Sequence, residues 1–439
     1  MKIFRSAVLS FTLLLAIFCG AADIPATLTV DGSTDRDRAV YAPGEQMTFT
    51  IRVNDNGEPV KEAYLKWLRD GDDGVKENGL ARVTPDQPLV VTTSLDRPGF
   101  VRVNARLSDS DGNALIRTEA NGRKKAVEFD GGAGVEIEKI TQAVPEPEDF
   151  DAYWARQKER LAATPITAER KQVDSKVPGI NLYEVTVNCA GPRPVTGYLA
   201  IPEGAKPKSL PARLFYYGYN DGPPYFPSPN QLKDNRIAFF VNAHGFKLNQ
   251  DRAYYSEFAK SIRDGKYSYA FSPRENADPD TAYFNGMALR VMRSLQYVKT
   301  LPEWNGRDLV ADGYSQGGLQ AVWAAGLDPD VTLCRADIPW CCDLGGITAG
   351  RAVGDWRLEY VPGLNYYDTV NHIKRAKCPL EIPRAGLGDY ICPPSGVTIL
   401  YNNAPNAKRI NYVQGSTHSF VPRGAKRFTV ESGTIPTLP

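Results

Sequence analysis

The sequence predicts an α/β protein: a mostly parallel sheet with helices on both faces, preceded by a small antiparallel β-sandwich. Three observations carry this expectation. Residues from about Asp23 to Ile140 alternate apolar and polar side chains in short runs. From Leu182 onward, short apolar runs alternate with helical patterns. One of those runs passes through Gly313-Tyr314-Ser315-Gln316-Gly317-Gly318 directly into helical text, a strand, tight turn and helix in succession.

The chain opens with Lys2 and Arg5, an apolar stretch from Ala7 to Cys19, and the small residues Gly20, Ala21 and Ala22. That order marks residues 1–22 as a secretory signal peptide, so the mature protein is expected to be exported, to the periplasm or beyond the cell. A spanning helix needs about 20 apolar residues, more than this stretch supplies, so no membrane association is expected after cleavage. Phe18 is too bulky for the position before a lipidated cysteine and argues against a lipoprotein reading of Cys19.

In residues 23–140 the alternating runs are Ala26 to Val30, Met47 to Val53, Ala63 to Leu68, Leu89 to Thr93 and Phe100 to Leu107. Turn-rich text such as Asn54-Asp55-Asn56-Gly57 and Ser108-Asp109-Ser110-Asp111-Gly112 separates them. Period-two alternation punctuated in this way predicts an Ig-like accessory sandwich. No residue cluster there suggests chemistry. The register changes at Val144-Pro145-Glu146-Pro147-Glu148, after which Phe150, Trp154 and Leu161 share one helical face. Residues 141–439 are therefore expected to form the catalytic unit. Its strands are read at Leu182 to Val187, Val195 to Ile201, Leu214 to Tyr217, Ile237 to Val241, Leu309 to Ala311, Leu380 to Ile382 and Ile410 to Val413. Met287, Val291, Leu295 and Val298 stripe a helix among them.

Composition narrows the partners. With 52 Lys+Arg against 51 Asp+Glu in 439 residues, no charge excess concentrates phosphates, so nucleic acid is not an expected partner. Six cysteines follow the signal (Cys189, Cys334, Cys341, Cys342, Cys378 and Cys392), and their pairing is left open. They form no C-x-x-C pair and the three histidines lie far apart, so no metal or other cofactor is expected.

The Gly-x-Ser-x-Gly turn needs glycine because neighbouring backbones crowd the serine. This nucleophile elbow specifies the α/β-hydrolase fold, with Ser315 as nucleophile. A serine hydroxyl needs a base. His418, in the loop after the last apolar strand, is the candidate. His372 lies in a helical stretch where a structural role is expected, and His244 precedes the serine, against the Ser, Asp, His chain order, although it can line the site's mouth. The orienting acid is expected at a strand end between them, where Asp389 opens a loop; an N-cap or Asx turn is its alternative role, and Asp368 and Asp343 are reserves. The oxyanion hole is assigned to the amides of Gln316 and Tyr219, the latter in Gly218-Tyr219-Asn220 after an early strand.

These residues resemble the acetyl xylan esterase and cephalosporin C deacetylase family of carbohydrate esterases. The resemblance spans roughly Asp149 to Pro422. It rests on Ser315-Gln316-Gly317-Gly318, on Gly218-Tyr219-Asn220, on Gly386-Leu387-Gly388-Asp389-Tyr390-Ile391-Cys392-Pro393-Pro394, and on Gly415-Ser416-Thr417-His418. It implies a Ser315, Asp389, His418 triad, an oxyanion hole from Tyr219 and Gln316, and deacetylation of acetylated xylan or xylo-oligosaccharides through an acetyl-enzyme. Family members often form closed oligomers, so a homo-oligomer is a further expectation, which the added sandwich puts in question. Tyr225, Trp340, Trp356 and Tyr390 are candidate sugar-stacking aromatics. Two other readings stand beside this one: a peptidase or broader short-chain esterase with the same triad, and a non-catalytic carbohydrate-binding protein.

Overall fold

The computed structural model describes residues 24–354 and 356–437. The signal-peptide expectation therefore falls outside the described residues, among which no helix is long and apolar enough to cross a membrane.

Residues 28–135 form two facing sheets. One joins Leu28–Thr34, Met47–Asp55, Glu58–Pro59 and Leu89–Thr93; the other runs in the order Val40–Tyr41, Glu128–Val135, Gly99–Ser108, Ala63–Gly71 and Lys76–Val83. Their alternating side chains Met47, Phe49, Ile51, Leu65, Val101 and Val103 are fully buried between them. Lys76–Val83, which the apolar pattern does not reveal, is an edge strand whose side chains are mostly exposed and polar. It pairs with Ala63 to Asp70 through backbone bonds that leave no apolar periodicity.

The second body is a ten-stranded sheet. Its strands are β1 (Ala168–Val173), β2 (Ile180–Val187), β3 (Val195–Pro202), β4 (Leu210–Tyr216), β5 (Ile237–Val241), β6 (Trp304–Tyr314), β7 (Leu333–Asp337), β8 (Leu380–Gly386), β9 (Lys408–Val413) and β10 (Arg427–Ser432). They lie in the order β1-β2-β3-β5-β4-β6-β7-β8-β9-β10. From β5 to β9 every pairing is parallel. Antiparallel pairs finish both ends.

Four helices pack around this sheet and bear on the site: α1 (Phe150–Ala162), α2 (Tyr283–Lys299), α3 (Gln316–Leu327) and α4 (Pro394–Asn403). The α2 stripe of Met287, Val291, Leu295 and Val298 is wholly buried, each side chain contributing about 1.5–3 kcal/mol of transfer free energy. Nearly all of α3 is buried, with Trp323 donating its indole N–H to the Tyr367 carbonyl at 2.9 Å. A central helix this apolar has no polar face to show, which is why it follows the elbow without an amphipathic pattern.

The two bodies share a seam. Gln414, just past β9, accepts the Gly132 amide at 3.0 Å and donates to its carbonyl at 2.8 Å. Asp72 accepts the amides of Phe100 (2.8 Å) and Ala352 (3.0 Å). A Cβ on Gly388 would overlap the Asp130 carbonyl, and one on Gly132 the carbonyls of Val101 and Leu387. Only glycine allows this approach.

Burial raises the carboxyl of Asp368 from an ordinary 3.8 to about 7, the negative charge of Asp343 adding to the effect. Its hydrogen bonds from the amides of Val370 (2.9 Å), Asp343 (3.1 Å) and Leu344 (2.6 Å) only partly offset that penalty.

Gly388→Ala is expected to lower stability by about 2–4 kcal/mol through backbone overlap at the seam, read as a fall in the denaturant midpoint at unchanged slope. For Asp368 the folded pKa lies above the unfolded one, so the native chain holds a proton that the unfolded chain has released. Its contribution is present below about pH 4 and is lost as pH rises through about 7. The stability of the parent relative to Asp368→Asn should accordingly decline between pH 4 and 7, and a pH-independent difference in urea midpoints would contradict it.

Candidate active site

The elbow is built by β6 and α3. Ser315 sits between them with φ 57° and ψ −117°, a positive-φ conformation that a side chain adopts only under constraint. The constraint is visible. Its amide donates to the Asp337 carbonyl at 2.9 Å, and its carbonyl accepts from Leu319 and Trp340, both at 3.1 Å. A Cβ on Gly317 would strike the Tyr216 carbonyl at the end of β4, and one on Gly313 would strike Gly317 itself. Gly317 is thus fixed by the approach of β4, and Gly313 by the turn folding back on itself.

Two loops reach this serine from the carboxyl ends of neighbouring strands. His418, after β9, places Nε2 3.0 Å from Ser315 Oγ. Asp389, after β8, places Oδ2 2.9 Å from His418 Nδ1. The carboxylate can only accept there, so Nδ1 carries the proton and Nε2 is left to accept from the serine hydroxyl. Asp389 is completely buried. Its other oxygen accepts the amides of Ile391 and Cys392, both at 3.0 Å. The Asx turn, the alternative role for this residue, therefore coexists with the contact to His418. The backbone that carries the imidazole is held from outside the triad, because Tyr314 donates its hydroxyl to the His418 carbonyl at 2.9 Å.

The amides of Tyr219 and Gln316 donate to no protein acceptor among the described residues. Gln316 directly follows the nucleophile and opens α3, and the Tyr219 loop continues from β4, whose last carbonyl lies against Gly317. Beside them Tyr219, Phe271, Trp340 and Trp356 stand ring against ring, with centroids 5.0–5.9 Å apart.

The remaining sequence candidates are distributed differently. His244 is 1% exposed and both its ring nitrogens are engaged, Nδ1 with Tyr283 Oη at 2.8 Å and Nε2 with the Asn220 carbonyl at 2.6 Å. It has no atom to offer a ligand at the mouth, and burial lowers its pKa to about 3, which keeps it neutral. Tyr390 is buried at the seam over the Arg102 guanidinium, 4.5 Å from its ring centre. Tyr225 is exposed and meets Tyr217 twice, its carbonyl accepting from Tyr217 Oη at 3.2 Å and its ring lying 5.8 Å from the Tyr217 ring. Of the reserves, Asp368 caps the helix Thr369–Ile373 and Asp343 pairs with Arg351. His372 is enclosed by Phe150, Trp154 and Trp323, with Nε2 on the Tyr366 carbonyl at 3.0 Å.

All six described cysteines are free. One of them belongs to the site in a way its sequence position does not signal: the Sγ of Cys392 lies within 4.8 Å of donor atoms of Asp389 and His418. Those three groups are close enough together to be considered as metal ligands. Burial, however, raises the thiol's pKa well above its ordinary 9.0, which disfavours the thiolate a metal requires. The carboxylate and imidazole are already matched to each other and to Ser315, the arrangement of an acyl-transfer relay.

A family model described as acetyl xylan esterase (AXE1) matches residues 135–352 and 357–429. The acetyl esterase Axe7A of Xylanibacter ruminicola is 26% identical over 293 residues, covering 61% of this chain and 63% of its own length, so the match spans less than two thirds of that relative. Among solved structures, an acetyl xylan esterase from Paenibacillus sp. R4 superposes with a TM-score of 0.56 at 24% identity, covering 65% of this chain and 94% of that one. Acetyl xylan esterase 1 from Thermoanaerobacterium sp. JW/SL YS485 gives 0.54 at 22% identity, covering 64% and 92%. Both superpositions are likenesses of fold, and with a family match over well beyond half its length, the chain belongs to the acetyl xylan esterase family.

Proposed function

We propose that this protein is an exported serine esterase that removes acetyl groups from acetylated xylan or its oligosaccharides, with Ser315, His418 and Asp389 as its triad. The observation that carries the reading is the unbroken relay from Asp389 Oδ2 through His418 to Ser315 Oγ, at 2.9 and 3.0 Å. The family match supports the choice of an acetyl ester as substrate.

The chemistry follows from the proton positions. His418 Nε2 takes the Ser315 proton as Oγ attacks the acetyl carbonyl, and Asp389 steadies the imidazolium. The amides of Tyr219 and Gln316 donate to the developing oxyanion, each worth about 3 kcal/mol in sites of this type. The tetrahedral intermediate then expels the sugar hydroxyl, which receives the proton from Nε2. Water, deprotonated by the same nitrogen, releases acetate from Ser315. The family match favours a short acyl group. Export rests on Lys2, Arg5 and the apolar run after them.

Ser315→Ala should cut acetate release from acetylated xylo-oligosaccharides by at least about 10⁴-fold with folding intact, and Asp389→Asn by about 10³–10⁴-fold. On p-nitrophenyl esters, kcat/KM should fall steeply from acetate to butyrate to octanoate. A flat profile would point to a broader esterase, and turnover retained by Ser315→Ala would remove the basis of the reading.

A further inference from the structure

Beneath the two amides assigned to the oxyanion lies a buried hydrogen-bonded chain that the relay does not use. The Tyr269 hydroxyl accepts the Asn220 amide at 3.3 Å and donates to the Gln316 side-chain carbonyl oxygen at 2.9 Å. One phenol therefore joins the residue after one donor to the side chain of the other donor. The Gln316 side-chain nitrogen has no partner, so among the described residues Tyr269 is the side chain's only hydrogen-bonded anchor. The Tyr269 ring stacks on Tyr219 at 4.1 Å and 6°, and meets His244 edge-on at 4.5 Å and 82°. Tyr219 returns the contact by donating its hydroxyl to the Tyr269 carbonyl at 3.2 Å.

The carbonyl of Asn220, in the next peptide group, is held as well. A carbonyl oxygen can only accept, so His244 Nε2 must carry the proton at its 2.6 Å contact, and Nδ1 must accept from Tyr283. The chain has one direction throughout: Tyr283 O–H to His244, His244 N–H to the Asn220 carbonyl, the Asn220 N–H to Tyr269, and Tyr269 O–H to Gln316. Tyr269 is 1% exposed and His244 is neutral by burial, so neither water nor titration competes for these bonds near neutral pH.

We propose that Tyr269 is a positioning residue for catalysis, locking the Tyr219–Asn220 loop to the Gln316 turn so that both amides face one point beside Ser315 Oγ. The proposal rests on the acyl-transfer reading of this site. It differs from a packing role in what it predicts, because misaimed amides weaken the transition state more than the bound ester.

Tyr269→Phe keeps both ring contacts and removes only the hydroxyl. Its kcat on p-nitrophenyl acetate should fall about tenfold with KM changed less than about twofold, and its affinity for a trifluoromethyl ketone analogue should fall by a similar factor. Gln316→Leu, which keeps the backbone amide, should show a similar loss, and the double variant should be little worse than either single one. If Tyr269→Phe does not fold, the kcat and analogue affinity of Gln316→Leu decide the matter. An unchanged kcat and analogue affinity in a folded variant would overturn the proposal, as would a loss confined to KM. Ser315→Ala is assayed alongside. If it is inactive while Tyr269→Phe is fully active, this inference alone falls; if it retains turnover, the acyl-transfer reading falls and this inference with it.

Discussion

The strained turn at Ser315 is the constraint around which the molecule is arranged. A side chain at φ 57° between a buried strand and a buried helix costs on the order of 1–3 kcal/mol, and it persists because β4, the loop after β7 and α3 leave it no alternative. Gly313 and Gly317 are the concession the chain makes to that crowding. Once the hydroxyl is fixed, His418 and Asp389 need only be delivered from the ends of adjacent parallel strands, which is where α/β sheets gather their reactive groups.

Much of this is legible in the sequence because the signals are local. The elbow is six consecutive residues, the acid and base each follow an apolar run, and the chain order of the three agrees with the fold. The strand at 380–386 is readable despite Pro383, since its apolar residues continue on either side. β7 escapes for a physical reason: Leu-Cys-Arg-Ala-Asp carries Arg335 into ion pairs with Asp312 and Glu381, a polarity that reads as loop until the neighbouring strands are known. β1 escapes because an outer strand with mostly exposed polar side chains needs no apolar period, whereas β10 does alternate, Phe428 and Val430 packing on the core, over too short a run to stand out. Tyr269, Tyr314 and Cys392 are invisible as site residues because their importance lies in contacts that sequence spacing does not encode.

The three histidines show how surroundings decide role. His418 keeps a partly exposed ring between a carboxylate and a hydroxyl. His244 and His372 are buried, each with a ring nitrogen on a backbone carbonyl, and burial lowers both to about 3. The same side chain is a proton carrier in one setting and a fixed neutral strut in the other two.

The seam between the two bodies carries a consequence for how this architecture changes over time. Gly132 and Gly388 each leave room for the opposite backbone, and Gln414 grips Gly132 only four residues before His418. A sandwich joined in this way is no interchangeable attachment. Drift at 130–132 is felt by the loops that carry acid and base, so the two halves of the chain are bound to diverge together.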